Sequence, residues 1–372
     1  MKIAFFHELH FGGARRVVVE YGKVFSKKHD ISIYYVGDKE EVDLKNVFPR
    51  SYNYYHPLIF YTGGNWKRKL YKDFIEPWSL YALHKKIAKD IDQEGYDFIF
   101  VHPSQFTHAP FILRFLKTPV VYFCQEPLRI AYDPIVTIPS NINFLKKLYE
   151  RLIRKFKMVI DSSNIRHATI VLANCHYSEK NIKKAYCIDS FVCYLGVDPK
   201  LFKPLNIKKE FDILFVGDAI YMEGYDTLLE ICKYFRIKPT ISIVKKEKGK
   251  YISDKDLVKR YNRSKVVVIL GRYDPFSMIP LEAMACKVPP VVVEEGGPIE
   301  AIVDKKTGYL VKRDSKKLYA IINKLLLDSS LRKNIAEQGY ERINQFWTWE
   351  KSADRVMKAV ADSKILEKNE RK

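Results

Sequence analysis

Apolar residues in this chain of 372 gather in short, closely spaced runs. KIAFF (2–6), DISIYYVG (30–37), YDFIFVHP (96–103), TPVVYFCQ (118–125) and ATIVLANC (168–175) are brief and rich in β-branched and aromatic residues. Each is followed by polar, Gly- or Pro-containing sequence. Such runs, apolar throughout and not alternating, read as strands buried on both faces. GGARRVVVEYGKVFSKK (12–28) supplies a Gly turn and a helix between the first two. After residue 200 the rhythm restarts with FDILFVG (211–217), TLLEICKYF (227–235), TISIVKK (240–246), KVVVILG (265–271), PPVVVEE (289–295) and GYLVKR (308–313). Strands alternating with helices indicate a parallel sheet covered on both sides, here built twice. LGVDPKLFKPLNIKKE (195–210), rich in Pro and charge, reads as the linker. The expected organisation is an α/β chain of two doubly wound domains facing across a cleft. They cover 1–200 and 201–346, and a charged helix over 347–372 returns toward the first domain and ends in a polar EKNERK tail.

Composition narrows the function classes. With 47% hydrophobic and 29% charged residues the chain reads as globular. No apolar run approaches the ~20 residues that cross a bilayer. The N-terminal MKIAFFHELHFGG leads into a Gly turn and not into a cleavage site, so it reads as a buried strand. Six cysteines, at 124, 175, 187, 193, 232 and 286, are scattered without metal-ligand spacing. They fit a reducing cytoplasm and no bound metal. The net charge of +20 attracts polyanions of several kinds. No helix-turn-helix, zinc-finger or RNP-like phrase accompanies it, so nucleic acid is not an expected partner. The 25 Tyr and 22 Phe interleaved with the basic residues fit an anionic membrane surface better, which would place the protein peripherally on the cytoplasmic face.

The densest chemistry lies in YDPFSMIPLEAMACKVPPVVVEEGGPIE, residues 273–300. Asp274 and Glu282 stand eight positions apart around a helix start, with Pro275 and Pro280 where a loop hands over to a first helical turn. Amides at such a start, near Ser277, Met278 and Ile279, suit an anion. Carboxylates suit the hydroxyls of a sugar. The pairing therefore fits a nucleotide-sugar, with phosphates on amides and hydroxyls on acids.

This segment resembles the donor-site signature of the retaining family 4 glycosyltransferases, whose fold is GT-B. Their phrase carries an acid, seven residues and a Glu, followed by Ala-Met-Ala-Cys, an apolar run and Gly-Gly. Here Asp274 stands for the first Glu, Ser277 for a Gly and Lys287 for the Gly after the Cys. Gly12-Gly13-Ala14-Arg15-Arg16 resembles the family's Gly-Gly-Ala-Glu-Arg phrase. The passage from Asn174 through Gly196-Val197-Asp198 resembles its domain-closing phrase, and TGYLV (307–311) its Thr-Gly-x-Leu-Val. The resemblance implies transfer, with retention and without a metal or cofactor, of a sugar from a UDP- or GDP-type donor to a glycan or polyprenyl-linked acceptor. It implies Glu282 on the donor ribose and Asp274 on the transferred sugar. Gly12, Gly13, Gly217 and the 277–279 amides meet the diphosphate, while Arg16, Glu126 and Arg129 lie on the acceptor side.

Two departures complicate that transfer of roles. Where the family places an Arg and a Lys against the diphosphate, this chain reads Gly217-Asp218-Ala219-Ile220-Tyr221-Met222-Glu223-Gly224. Two acids there repel a diphosphate by roughly 1–4 kcal/mol per pair at 4 Å. Arg272 is the preferred replacement cation, with Lys245 and Lys246 as others. Gln125 stands where many relatives carry a His; it cannot titrate but can orient a hydroxyl. His7, His10, His102 and His108 fall near strand ends, where a lone His is more often packed or exposed than catalytic. These departures keep a second reading open, a degenerate homologue that binds a sugar or a partner without turnover.

NFLKKLYERLIRKFKMVI (143–160) places apolar residues at 144, 145, 148, 149, 152, 153 and 156 with Lys and Arg between. This amphipathic basic helix either turns its apolar stripe into the domain core or lays it on an anionic membrane. RSYNYYHPLIFYTGGNWKRKLYK (50–72) is a second candidate for membrane insertion or for an acceptor lid.

Overall fold

The computed structural model describes residues 1–9, 12–56, 66–104, 106–133, 135–244 and 252–363. They divide into two compact units. The first comprises Met1–Asn174, Ser178–Cys193 and the described residues from Ala353 on; the second comprises Cys175–Tyr177 and Tyr194–Ser352.

The first unit is built on a seven-stranded parallel sheet. Its strands are β1 (Lys2–His7), β2 (Asp30–Gly37), β3 (Arg50–Tyr55), β4 (Phe98–Val101), β5 (Val120–Cys124), β6 (Ile170–Ala173) and β7 (Phe191–Val192). Their order is β3-β2-β1-β4-β5-β6-β7. The runs β1, β2, β4, β5 and β6 are buried almost end to end, as their unbroken apolar character requires of strands covered on both faces. Phe5 packs edge-on against Phe100 at 5.4 Å and Phe48 at 5.1 Å beneath the sheet. Chain order reverses between β1 and β4, and the C-terminal ends of the strands beside such a switch are where open α/β sheets bind ligands.

The second unit repeats the plan with β8 (Phe211–Val216), β9 (Ile241–Val244), β10 (Ser264–Ile269), β11 (Pro290–Val293) and β12 (Tyr309–Val311), ordered β12-β11-β10-β8-β9. Its switch lies between β8 and β10, so Gly217 and the 271–278 loop leave neighbouring strand ends. Ile213, Val266, Val268 and Val291, β-branched residues of the three central strands, form the core with Leu228, Ile231, Leu318 and Ile322.

Three features differ from the sequence expectation. The division falls after Cys193 and not at residue 200, because the linker is tied into the second unit. Val197 N donates to Trp347 O at 2.8 Å, and Asn262 bonds Leu205 N at 2.7 Å and Lys203 O at 3.0 Å. The 50–72 stretch opens as edge strand β3, whose Tyr-rich residues alternate partly inward; 57–65 lie outside the described residues. The Phe144–Ile165 helix is inverted. Ile153, Lys157, Asp161, Asn164 and Ile165 are its buried residues, while most of its apolar stripe faces out.

Candidate active site

In the second unit, β10 runs into Leu270-Gly271-Arg272 and a loop that enters the short helix Ile279–Ala285, with proline in its first turn. This helix is buried, and Glu282 is buried with it. Its Oε2 accepts a hydrogen bond from the buried Tyr261 hydroxyl at 2.7 Å, which fixes the carboxylate and offsets part of its desolvation. Asp274 is half-buried, and its Oδ1 accepts from Phe276 N at 3.2 Å. Ser277 is buried, and its Oγ accepts from the Ile279 amide at 3.3 Å. Met278 O receives Glu282 N at 3.0 Å.

The Gly296-Gly297 turn determines where Asp274 sits. Gly296 has φ +71°, and a Cβ there would lie 2.4 Å from Asp274 O. Gly297 N donates to Asp274 O at 2.9 Å, and a Cβ on Gly297 would lie 1.9 Å from Pro275 O. Backbone thus presses directly on backbone, as only glycine allows. Three residues on, Glu300 accepts from the His176 and Tyr177 amides at 3.0 and 2.8 Å and from the Tyr194 hydroxyl at 2.8 Å. This acid, inside the family-like phrase, ties together backbone of its own unit.

The acid-bearing turn after β8 has its own construction. Gly217 N donates to Val244 O at 2.9 Å. Glu223 leans over Gly217, since a Cβ added there would meet Glu223 Oε2 at 3.1 Å. Asp218 is half-buried beside it. Arg272 reaches back to this same turn: its guanidinium lies 3.7 Å from the Tyr221 ring centroid, donates to Tyr221 O at 2.5 Å, and grips Asp226 with two bonds of 2.9 and 2.7 Å. These bonds hold the Asp226 carboxyl below its ordinary range. Arg313, which the sequence reading did not single out, lies close by. It bonds Leu270 O at 2.9 Å, Gly271 O at 3.0 Å and Glu295 at 2.9 and 2.8 Å. Both arginines approach the switch-point loop from inside the unit. Lys245 and Lys246 lie outside the described residues.

The first unit lines up polar side chains at the C-terminal ends of its strands. Gln125, just past β5, has a buried Nε2 with no hydrogen-bond partner among the described residues, and Asn174, just past β6, has a buried Oδ1 likewise. An unsatisfied buried polar group of this kind needs a reason. Glu126 follows, with Arg129 at 3.7 Å; burial raises its carboxyl, and His108 and Arg129 oppose that rise. Arg129 also bonds Asp133 at 3.0 Å. Gly12 precedes the helix Gly13–Phe25, and its carbonyl accepts from Arg16 N at 3.0 Å. Arg16 is half-buried, while Arg15 turns inward onto Glu41 and Asp43 at 2.6–2.7 Å.

The histidines separate by environment. His102 is fully buried among Phe5, Tyr21, Phe100 and Phe123, and burial lowers its pKa to about 3. His7 is equally buried and stacked on Tyr35; burial, then Arg15 and His102, lower it well below the ordinary value. His108 Nδ1 lies 3.0 Å from Glu126 O. His10 is outside the described residues.

A buried polar cluster was not anticipated from the sequence. Glu8, just past β1, lies 3.3 Å from His84 Nε2, and His56, just past β3, lies 3.9 Å from Glu76. All four are buried. Burial raises Glu76 to about 7, with Lys72 opposing, and lowers His56. The available signal was the Glu76–Asp92 helix, whose inward stripe of Glu76, Leu80, His84, Ile87 and Ile91 carries two titratable residues at helical spacing among apolar ones. Among the described residues no group of His, Cys, Asp and Glu has the arrangement to hold a metal ion.

Comparison with known proteins agrees with this architecture. The model for Glycosyltransferase Family 4 matches residues 11–201, just over half of the chain, and that for Glycosyl transferases group 1 matches 249–342. A probable sucrose-phosphate synthase of Thermosipho melanesiensis is 29% identical over 34% of this chain and 30% of its own length. An uncharacterized glycosyltransferase of Methanocaldococcus jannaschii is 25% identical over 54% of this chain and 55% of its own. The chain thus spans between about a third and about half of these two relatives. Among solved structures, sucrose-phosphate synthase of Thermosynechococcus elongatus superposes with a TM-score of 0.70 at 14% identity, covering 97% of this chain and 98% of that one. Anabaena HepE in complex with UDP and glucose gives 0.69 at 15% identity, covering 97% and 99%. These likenesses establish the GT-B fold. With its two switch-point units and both family models matched in order along it, the chain belongs to the family 4, group 1 glycosyltransferases.

Proposed function

We propose that this protein is a retaining, metal-independent glycosyltransferase that moves a hexose or similar sugar from a UDP- or GDP-sugar to a glycan or polyprenyl-linked glycan. The donor is a co-substrate, and no cofactor is involved. The observation that carries this reading is the second unit's donor loop, where Glu282 is held by Tyr261 and Asp274 is set by the Gly296-Gly297 backbone contact. HepE, of the same fold, has been crystallised with UDP-glucose, which supports a nucleotide-sugar here.

In this reading Glu282 accepts from the donor ribose hydroxyls and Asp274 from hydroxyls of the transferred sugar. The 277–279 amides and Gly217 meet the diphosphate. Arg272 and Arg313 offset the charge of Asp218 and Glu223. The acceptor hydroxyl oxygen bonds to the anomeric carbon as its bond to the β-phosphate oxygen breaks. The hydroxyl proton passes to the departing phosphate, so no protein base is required, and Gln125 fits this as a neutral donor that orients a hydroxyl through Nε2. Arg16, Glu126 and Arg129 position the acceptor. Holding both reactants in one geometry supplies much of the acceleration.

The test is a thermal-shift panel of UDP-, GDP-, ADP- and dTDP-sugars with wild type and Glu282→Ala. A donor at ~100 times its dissociation constant stabilises by about 2.7 kcal/mol. A shift with one nucleotide, absent in the variant, supports the reading. The acids at 218 and 223 and the engagement of Arg272 by Asp226 favour a second reading, a sugar- or partner-binding homologue without turnover. Donor binding without transfer or donor hydrolysis would select it.

A further inference from the structure

We infer that the outward face of the Phe144–Ile165 helix docks the protein onto an anionic lipid bilayer. The face carries Phe144 and Leu145, each 72% exposed, with Leu148, Leu152 (60%), Phe156 and Val159 (57%) following at helical spacing. Phe74, Ile75 and Trp78 are exposed on the neighbouring segment. The two surfaces adjoin, since Phe74 lies 6.2 Å from the Tyr149 ring and Tyr149 donates to Asp73 at 2.8 Å. Isolated exposed apolar residues are ordinary, but a contiguous patch of this size marks an interaction surface.

The stripe cannot be turned inward. The inward face of the helix holds Lys157, Asp161 and Asn164, each satisfied by a specific partner. Lys157 pairs with Asp73 at 3.0 Å. Asp161 accepts from Ala109 N at 2.8 Å and from the Tyr186 hydroxyl. Asn164 donates to Ala109 O at 2.7 Å and accepts from Arg114. Rotating the helix to bury its leucines strands these groups, and an unpartnered buried charge costs several kcal/mol. The amphipathic pattern is therefore used in reverse, with polar contacts fixing the helix and the apolar side left to the outside.

Charge selects the occupant. Lys146, Arg151 and Lys155 are exposed beside the stripe and Lys147 is half-buried. Glu150, the one acid among residues 144–160, is paired with Lys69. Lys67 and Arg68 are exposed on the adjoining Trp66–Leu70 helix. Large apolar residues ringed by cations on a helix lying flat is the chemistry of an anionic headgroup boundary. Among the described residues no helix is long and apolar enough to cross a membrane.

The inference does not depend on sugar transfer, and its test needs no donor. The full chain is sedimented with phosphatidylcholine vesicles containing one third phosphatidylglycerol, and with phosphatidylcholine alone, at low and high salt. Wild type should partition onto the anionic vesicles and weaken with salt. Leu152→Glu with Phe156→Glu should weaken partition at least tenfold while leaving the melting temperature unchanged. Lys146→Ala and Lys155→Ala should each weaken it about fivefold, which provides a second reading if the first variant misfolds. No partition of wild type, or partition indifferent to all these changes, overturns the inference. So does light scattering that shows a dimer dissolved by the stripe variant, with no lipid binding.

Discussion

Replacing Gly297 by alanine isolates the contact that sets Asp274. Gly297 has φ −77° and ψ −26°, a conformation alanine adopts freely, so any penalty arises from space alone. The new Cβ would stand 1.9 Å from Pro275 O and 2.8 Å from Cys175 Sγ. Cβ atoms are essentially never found within 3.0 Å of such neighbours, so the Pro275 carbonyl must retreat by about 1 Å. The same movement pulls on the bond from Gly297 N to Asp274 O. Overpacking of this kind costs ~1–3 kcal/mol, and a weakened backbone hydrogen bond adds about 1 kcal/mol. At ~2–4 °C per kcal/mol for a unit of this size, calorimetry should show the second unit melting about 5–15 °C lower. Donor affinity should fall with it. Gly95→Ala serves as control: φ is +67° with nothing within 4 Å of the added Cβ, so only backbone strain of ~1–2 kcal/mol is felt, and in the first unit. If Gly297→Ala melts within a degree of wild type and binds donor equally well, the close approach does not position the loop.

Glu76, raised to about 7 by burial, binds a proton in the folded state that the unfolded chain releases near pH 4.5. Its stabilising contribution is full below that value and is lost as pH rises through about 7, a loss on the order of 3 kcal/mol; Glu76→Gln should flatten this slope in melting profiles. Arg272→Ala should weaken donor binding by at least tenfold, measured by calorimetric titration, and Asp226→Ala should not, since Arg272 brings positive charge to the turn and Asp226 opposes it. Tyr261→Phe should leave Glu282 less well fixed, destabilise by about 1–3 kcal/mol and raise the donor dissociation constant several-fold. Dialysis against a chelator should leave transfer rates unchanged.

The fold was legible because each central strand is a short apolar run that nothing but a doubly covered parallel sheet would bury. Edge strand β3 was not, since RSYNYY carries polar residues on a half-exposed edge and reads as surface. The 273–300 segment carrying Asp274 and Glu282 was legible as a phrase, but the contacts that hold it in place were not. Tyr261, which holds Glu282, and Arg313 and Asp226, which hold Gly271 and Arg272 just before Asp274, are distant in sequence and belong to no local pattern. Burial direction was the harder problem. Periodicity finds two faces on the Phe144–Ile165 helix but cannot say which faces in, and here Asp73, Ala109 and Tyr186 decide it from other elements. The Glu8, His56, Glu76 and His84 cluster joins two strand ends and a helix, so only its helical half left a trace in the spacing.

The first unit is discontinuous along the chain, and this has a consequence for synthesis. Its sheet is complete by Cys193, yet Val356 and Val360, both fully buried, belong to the same unit and follow about 160 residues later. At ~5–20 residues per second, a nascent first unit waits roughly 10–30 seconds with the surface destined for those valines uncovered. Its final closure is then coupled to emergence of the whole second unit, so truncation before Ala353 should impair the folding of the N-terminal half without removing a single one of its strands.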